Sequence, residues 1–137
     1  MPYSPGSALV KAFVATALGC VLVDLETGKA ELVDDEQPTA GTAGVSLPLL
    51  IAADQAGGRV AAVVDRRPPL VLSDDRGRTW DEAGGGLPAG TAVAIHPDDH
   101  DLLLFSSESR LFVSENGGRF WRALDLELIG ITAVAFS

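Results

Sequence analysis

Residues 73–80 read Ser-Asp-Asp-Arg-Gly-Arg-Thr-Trp, and residues 114–121 read Ser-Glu-Asn-Gly-Gly-Arg-Phe-Trp. The shared pattern is a serine, an Asp or Asn two positions on, a glycine two further, and a tryptophan three beyond that. Each element has a physical reason to stand where it does. A short Asp or Asn side chain at a tight turn accepts hydrogen bonds from backbone N–H groups just past it. A glycine two positions later takes positive φ without a Cβ clash. The tryptophan opens the next extended segment with a large apolar face. Strand-like sequence precedes each copy, Leu70-Val71-Leu72 and Leu111-Phe112-Val113. Each copy therefore predicts a hairpin connection between two strands.

The copies are periodic. Gly77 and Gly118 lie 41 residues apart. Stepping back 49 residues from Gly77 reaches Gly28, in Asp24-Leu25-Glu26-Thr27-Gly28, a degraded third copy with Asp24 for Ser, Glu26 for Asp and Glu31 for Trp. A period of about 40–50 residues in strand-like sequence points to an all-β fold of β-propeller blades, each of four antiparallel strands.

The third unit is the clearest. Its innermost strand, A, is expected at 91–95, with a loop at 96–100, strand B at 102–105, C at 110–113 and D at 120–124. The second unit repeats this with A at 49–53, a loop at 54–58, B at 60–64, a connector at 65–69, C at 70–72 and D at 79–82. Gly84-Gly85-Gly86-Leu87-Pro88 then interrupts the pattern. The first unit has B at 11–17, C at 20–23 and D at 29–33, with no room for a strand A before them. The missing strand stands at the other end: Ile131-Thr132-Ala133-Val134-Ala135-Phe136 matches the strand A of unit three.

The order is thus BCD–ABCD–ABCD–A within a single domain of 137 residues. Blade one spans about residues 8–35 plus a C-terminal strand at 131–137, blade two about 45–83, and blade three about 90–128. Three blades are fewer than the roughly 4–8 of ordinary propellers, and an open half-ring leaves apolar faces and strand edges uncovered. The expected solution is a homodimer. A two-fold axis would close six blades, with the C-terminal strand of each copy completing the first blade of its partner. The alternative is that the chain is a piece of a longer propeller.

Composition narrows the partners. Hydrophobic residues make up 47% and charged residues 21%, enough for a folded core. The net charge of −9 repels a phosphate backbone, so no nucleic-acid partner is expected. Nothing reaches the roughly 18–20 consecutive apolar residues of a membrane span. Cys20 is the only cysteine, so no intrachain disulfide forms and the compartment stays open. A cytoplasmic location is favoured slightly. Secretion or lipid anchoring is the alternative, since 12–20 has the length of a short secretory apolar region ending at Cys20.

The turn Ser73-x-Asp75-x-Gly77-x-Thr79-Trp80 resembles the Asp-box, or BNR repeat, of sialidases, sortilin-type receptors, xyloglucanase-type glycoside hydrolases and photosystem II assembly-factor-like proteins. The resemblance extends over the whole third unit. It implies a propeller fold and leaves activity open. It also implies structural roles for Ser73, Asp75, Gly77, Thr79 and Trp80, and for Ser114, Asn116, Gly118 and Trp121. In that family the A–B and C–D turns share one face, and the B–C and D–A loops line the other, where substrates bind. On this second face the resemblance puts Asp34, Asp35 and Glu36, then Asp65, Arg66 and Arg67, then Glu108 and Arg110, then Asp125 and Glu127.

Two classes of function follow. The favoured one is a non-catalytic binding or scaffolding module that takes a glycan or protein partner at the mouth of the ring. Asp65, Arg66, Arg67, Glu108 and Arg110 are its candidate ligand residues, because guanidinium forks suit carboxylates and other anions. The alternative is a carbohydrate hydrolase built on paired acids at that mouth. A sialidase of the usual kind would also need a tyrosine nucleophile, and Tyr3, the sole tyrosine, sits in an irregular N-terminal segment. No catalytic residue, cofactor or metal is assigned. His96 and His100 with nearby carboxylates have ligand-like spacing, but His-Pro-Asp is an ordinary turn sequence. Gly84–86 lacks the lysine and helix of a phosphate loop. Cys20 reads as a small buried hydrophobe.

Overall fold

The computed structural model describes residues 10–137; Tyr3 lies outside them. The described chain is all-β, with twelve strands in three antiparallel four-stranded sheets and no helix. Sheet one contains β1 (Lys11–Thr16), β2 (Gly19–Asp24) and β3 (Ala30–Leu32). Sheet two is the meander β4 (Leu50–Ala56), β5 (Arg59–Val64), β6 (Leu70–Ser73) and β7 (Asp81–Ala83). Sheet three is the meander β8 (Ala92–His96), β9 (Asp99–Ser106), β10 (Leu111–Ser114) and β11 (Arg122–Ala123). The last strand, β12 (Ala133–Phe136), returns to pair with β1, so that sheet one runs β12-β1-β2-β3.

Sheet three is the middle layer, and the period-2 alternation of its strands shows why. Ala92, Ala94, Leu104, Leu111 and Val113 point to one side, where they pack with Ala12, Val14, Val21, Val23 and Val134 of sheet one. Val93, Ile95, Leu103, Phe105 and Phe112 point to the other side and pack with Ala52, Ala61, Val63 and Leu70 of sheet two. A strand buried on both faces reads as an uninterrupted apolar run, and Leu102-Leu103-Leu104-Phe105 is that run. Phe105 is fully buried and meets Phe112 and Trp121 edge-on.

The far faces of the outer sheets are not bare. On sheet two, Ala53, Ala62, Val64 and Val71 are covered by Val45, Leu47, Leu50 and Trp80. On sheet one, Ala15, Cys20 and Ala133 are each at most 3% exposed. Segment 33–49, the longest of the three connections between sheets, contributes Val45 and Leu47 to this cover and runs beside Cys20. It begins with Val33 N–H on the Cys20 carbonyl at 3.0 Å, continues past Cys20 at Glu36, and later offers the Gly41 carbonyl to Ala53 N–H at 2.8 Å.

Three expectations change. The C-terminal strand does complete the first unit, but it pairs with β1 of its own chain, in the register Ala12 to Phe136 and Ala15 to Ala133. Segment 124–132 carries the chain there, anchored by Ile131 N–H on the Glu108 carbonyl and Ala17 N–H on the Ile129 carbonyl, both at 2.8 Å. The loops expected at 54–58 and 96–100 are mostly strand. β4 runs to Ala56 and β9 starts at Asp99, because these hairpins project past the core and hydrophobicity stops marking them before their pairing ends. The D strands start later than expected, at Asp81 and Arg122, because Thr79 and Phe120 are held in the turn: their N–H groups bond Asp75 and Asn116.

Gly90 tests the packing. A Cβ there would lie 2.5 Å from the Phe105 ring and 2.9 Å from Val63. Gly90→Ala is therefore expected to destabilise the fold by about 1–3 kcal/mol through overpacking, measured by urea unfolding. A neutral result would mean that the seam between sheets two and three is looser than described.

Candidate functional site

The two recognised turns are built alike. The Ser73 hydroxyl donates to Asp75 Oδ1 at 2.7 Å and accepts from Gly77 N–H at 2.7 Å. Asp75 Oδ1 also accepts from Thr79 N–H at 2.8 Å, and Oδ2 takes the Thr79 hydroxyl at 2.6 Å. In the second copy Ser114 bonds Asn116 Oδ1 at 3.0 Å and Gly118 N–H at 2.8 Å. Gly77 and Gly118 have φ of 92° and 90°, which only glycine adopts without strain. Trp80 packs on the far face of sheet two, and Trp121 donates from Nε1 to the Gly118 carbonyl at 3.1 Å. These side chains are spent on the turn itself. The degraded copy works differently from its alignment: Asp24, standing in the serine place, accepts the N–H groups of Glu26 and Thr27 at 2.8 and 3.2 Å.

The hydrogen bonds set carboxyl acidity. The Thr79 hydroxyl and N–H, with Ser73, hold the Asp75 carboxyl well below the usual range, and the N–H groups of Glu26 and Thr27 lower that of Asp24. A depressed folded-state value means that the stabilisation is complete above the unfolded value, about pH 3.9, and is lost as pH falls through the folded one.

The five candidate ligand residues lie in the 65–69 and 107–110 connections, at the Leu50 end of β4 and the Ala92 end of β8. The arginines there are engaged within the fold. Arg66 pairs with Glu82 at 3.5 Å, Arg67 donates to the Leu87 carbonyl at 3.1 Å, and Arg110 reaches the Leu124 carbonyl at 3.5 Å and Glu127 at 3.9 Å. Arg66 ties its connection to β7 itself, while Arg67 and Arg110 tie theirs to the segments after β7 and β11. Asp65 and Glu108 contribute backbone to the same joints, Asp65 N–H on the Leu49 carbonyl and the Glu108 carbonyl to Ile131 N–H. None of the five lines the largest cavity.

That cavity, of about 660 Å³, lies elsewhere. Three of its walls are β4, β8 and β12, the terminal strands of the three sheets, and the fourth is formed by Pro38–Gly41 and Ala43 of the 33–49 segment. It reaches Gln55, Gly57, Pro97 and Phe136, the end opposite the arginines. Its lining is mostly small: Ala52, Ala53, Ala56, Ala92, Ala94 and Ala135. It carries one carboxylate, Asp54, whose Oδ2 accepts the Ile95 N–H at 2.8 Å and so links sheet two to sheet three. The sequence held one signal for this residue, a lone acid after an apolar run; placing it in a loop hid it.

Arg59 is a second unforeseen link. Its side chain is 18% exposed and bonds Asp74 at 2.9 Å, the His100 carbonyl at 2.8 Å and Asp101 at 3.4 Å. The 96–101 hairpin also carries its own bonds, Asp98 N–H on His96 Nδ1 and Asp101 N–H on Asp99 Oδ1, and its Asp101 carbonyl accepts the Gly117 N–H at 2.9 Å. Among the described residues no three His, Cys, Asp or Glu side chains converge as a metal site. Cys20 is buried, and burial with the negative charge of Asp35 pushes its thiol up. Among the described residues no helix is long and apolar enough to cross a membrane. A scan against protein-family models matched none, and a search of curated proteins found no relative.

Two outcomes check these assignments. Arg59→Ala is expected to lower stability by roughly 1.5–3 kcal/mol, the range for hydrogen bonds to charged groups; an unchanged urea midpoint would deny the link. In thermal unfolding across pH, the wild-type advantage over Asp75→Asn is expected to be full above about pH 4 and to shrink below it. An advantage independent of pH would show that the carboxylate charge plays no part.

Proposed function

We propose that the chain is a non-catalytic binding module of the Asp-box propeller type, its three sheets acting as blades, with a glycan or protein partner held in the cavity between β4, β8 and β12. One observation carries this reading. The largest concave surface lies where the three terminal strands meet, and its single carboxylate already holds a backbone N–H. Hydrolysis of a glycoside uses two carboxyls about 5–5.5 Å or 6.5–9.5 Å apart. The cavity lining supplies one, so binding without turnover is favoured over the hydrolase.

We place the site in the cavity rather than at the arginine-rich end, where the resemblance put it, because the cavity is the larger concave surface and the arginines already have partners within the fold. The single chain also replaces the two-fold ring as the preferred unit. The ring was attractive as a cover for bare faces, and segment 33–49 covers part of sheet two, while β12 completes sheet one within one chain.

The test is a screen of glycan and peptide arrays with the wild type, Gln55→Trp and Arg66→Ala/Arg110→Ala. Gln55 is exposed and lines the cavity, so a tryptophan there blocks it. Ligands of the wild type are expected to be lost on Gln55→Trp and kept by the arginine variant. The reverse pattern would return the site to the arginine end. Turnover of fluorogenic glycosides that Gln55→Trp abolishes would make the module an enzyme.

A further inference from the structure

The backbone edges around the cavity say which class of ligand it takes. In an antiparallel ladder, residues that exchange bonds with the neighbouring strand alternate with residues whose N–H and C=O point the other way. Since β4, β8 and β12 are each last in their sheet, the groups that point away are not used by a ladder. On β4 such a group is the Ala53 N–H, met by the Gly41 carbonyl at 2.8 Å. On β8 it is the Ile95 N–H, met by Asp54 Oδ2 at 2.8 Å. On β12 the phase follows from Ser137 N–H, which donates to the Lys11 carbonyl at 3.0 Å just past the Ala12–Phe136 pair. That bond makes Phe136, and by the two-residue period Val134, the residues whose N–H and C=O face away from β1. Both line the cavity, and among the described residues no group meets them as Gly41 meets Ala53 and Asp54 meets Ile95.

We propose that β12 is an acceptor edge for an extended segment of a partner protein, which enters the cavity as an added strand and pairs with Val134 and Phe136. This inference rests on the cavity being the binding site. Strand addition draws its affinity from main-chain hydrogen bonds and its selectivity from the pockets that alternate side chains meet. Here the walls are Ala94, Ala135 and Gly41, which leave room for the side chains that the segment presents at alternate positions. At about 3.3 Å per residue, a segment lying beside the four residues of β12 is about four or five residues long. The net charge of −9 selects neutral or basic segments over acidic ones.

The two N–H groups already met, Ala53 on β4 and Ile95 on β8, show that the cavity supports such bonding, one through a carbonyl of the 33–49 segment and one through a carboxylate. The added strand would repeat on β12 what Gly41 does on β4.

The experiment uses an array of capped hexapeptides with small and with larger apolar residues at alternate positions, followed by titration of the best binder. Two variants separate backbone from side chain. Phe136→Ala removes the ring that sits edge-on to His96 and keeps the N–H. Phe136→Pro also removes the N–H, which belongs to the cavity side and not to the β1 ladder, a position where an edge strand tolerates proline. Affinity is expected to fall about tenfold further in Phe136→Pro than in Phe136→Ala, and the same peptide N-methylated at alternate amides is expected not to bind. Equal affinities for the two variants, or full binding of the methylated peptide, would overturn the proposal without relying on either variant's stability. Glycan binding that Gln55→Trp abolishes, with no peptide bound, would leave the cavity as the site and reject the strand. Ligands that ignore Gln55→Trp would reject the cavity itself.

Discussion

The structure depends on one sheet being buried on both of its faces. Sheet three gives alternate side chains to sheet one and to sheet two, and neither outer sheet has another partner of comparable extent. An apolar strand with two buried faces is stabilised twice by the same backbone, at roughly 25 cal/mol for each Å² of apolar surface removed from water. It also fixes the layer order, since sheets one and two must lie on opposite sides. The pairing of β12 with β1 follows from this order. The chain leaves sheet three at β11 and reaches sheet one by the short segment 124–132, next to the sheet it has just completed.

The price of an open three-sheet stack is its two outer faces, and segment 33–49 reaches both. It touches sheet one near Cys20 and sheet two through Val45, Leu47 and the Gly41–Ala53 bond. By running from one outer sheet to the other it also builds the fourth wall of the cavity. Covering and site formation are thus two results of one connection. The polar links add order at the hairpin ends: Asp54 and Arg59 each join sheet two to sheet three, and Arg67 and Arg110 at the opposite end hold loops to one another.

Much of this was legible in the sequence, for reasons that differ by residue. The Ser-x-Asp-x-Gly turns declared themselves because their chemistry is local: Ser73, Asp75, Gly77 and Thr79 bond one another within seven residues of chain. The strands of sheets two and three were readable from their apolar alternation, and the terminal strand A was readable from its likeness to 91–95. Hairpin ends were not, because Asp99, His100 and Asp101 continue a ladder outside the core, where hydrophobicity carries no signal. Segment 33–49 was illegible for the opposite reason. Its function is set by which faces happen to be uncovered, a property of the assembled sheets. The arginines were noticed for their charge, but their partners, two of them carbonyl oxygens, have no sequence signature.

The central proposal is that one chain suffices, with β12 folded back on its own β1. The most direct measurement is the solution mass by light scattering on a size-exclusion column, over a range of dilution. The account predicts a particle of one chain, 14.2 kDa. A particle of twice that mass, persisting at high dilution, would contradict it and restore the two-fold ring of six blades with exchanged terminal strands.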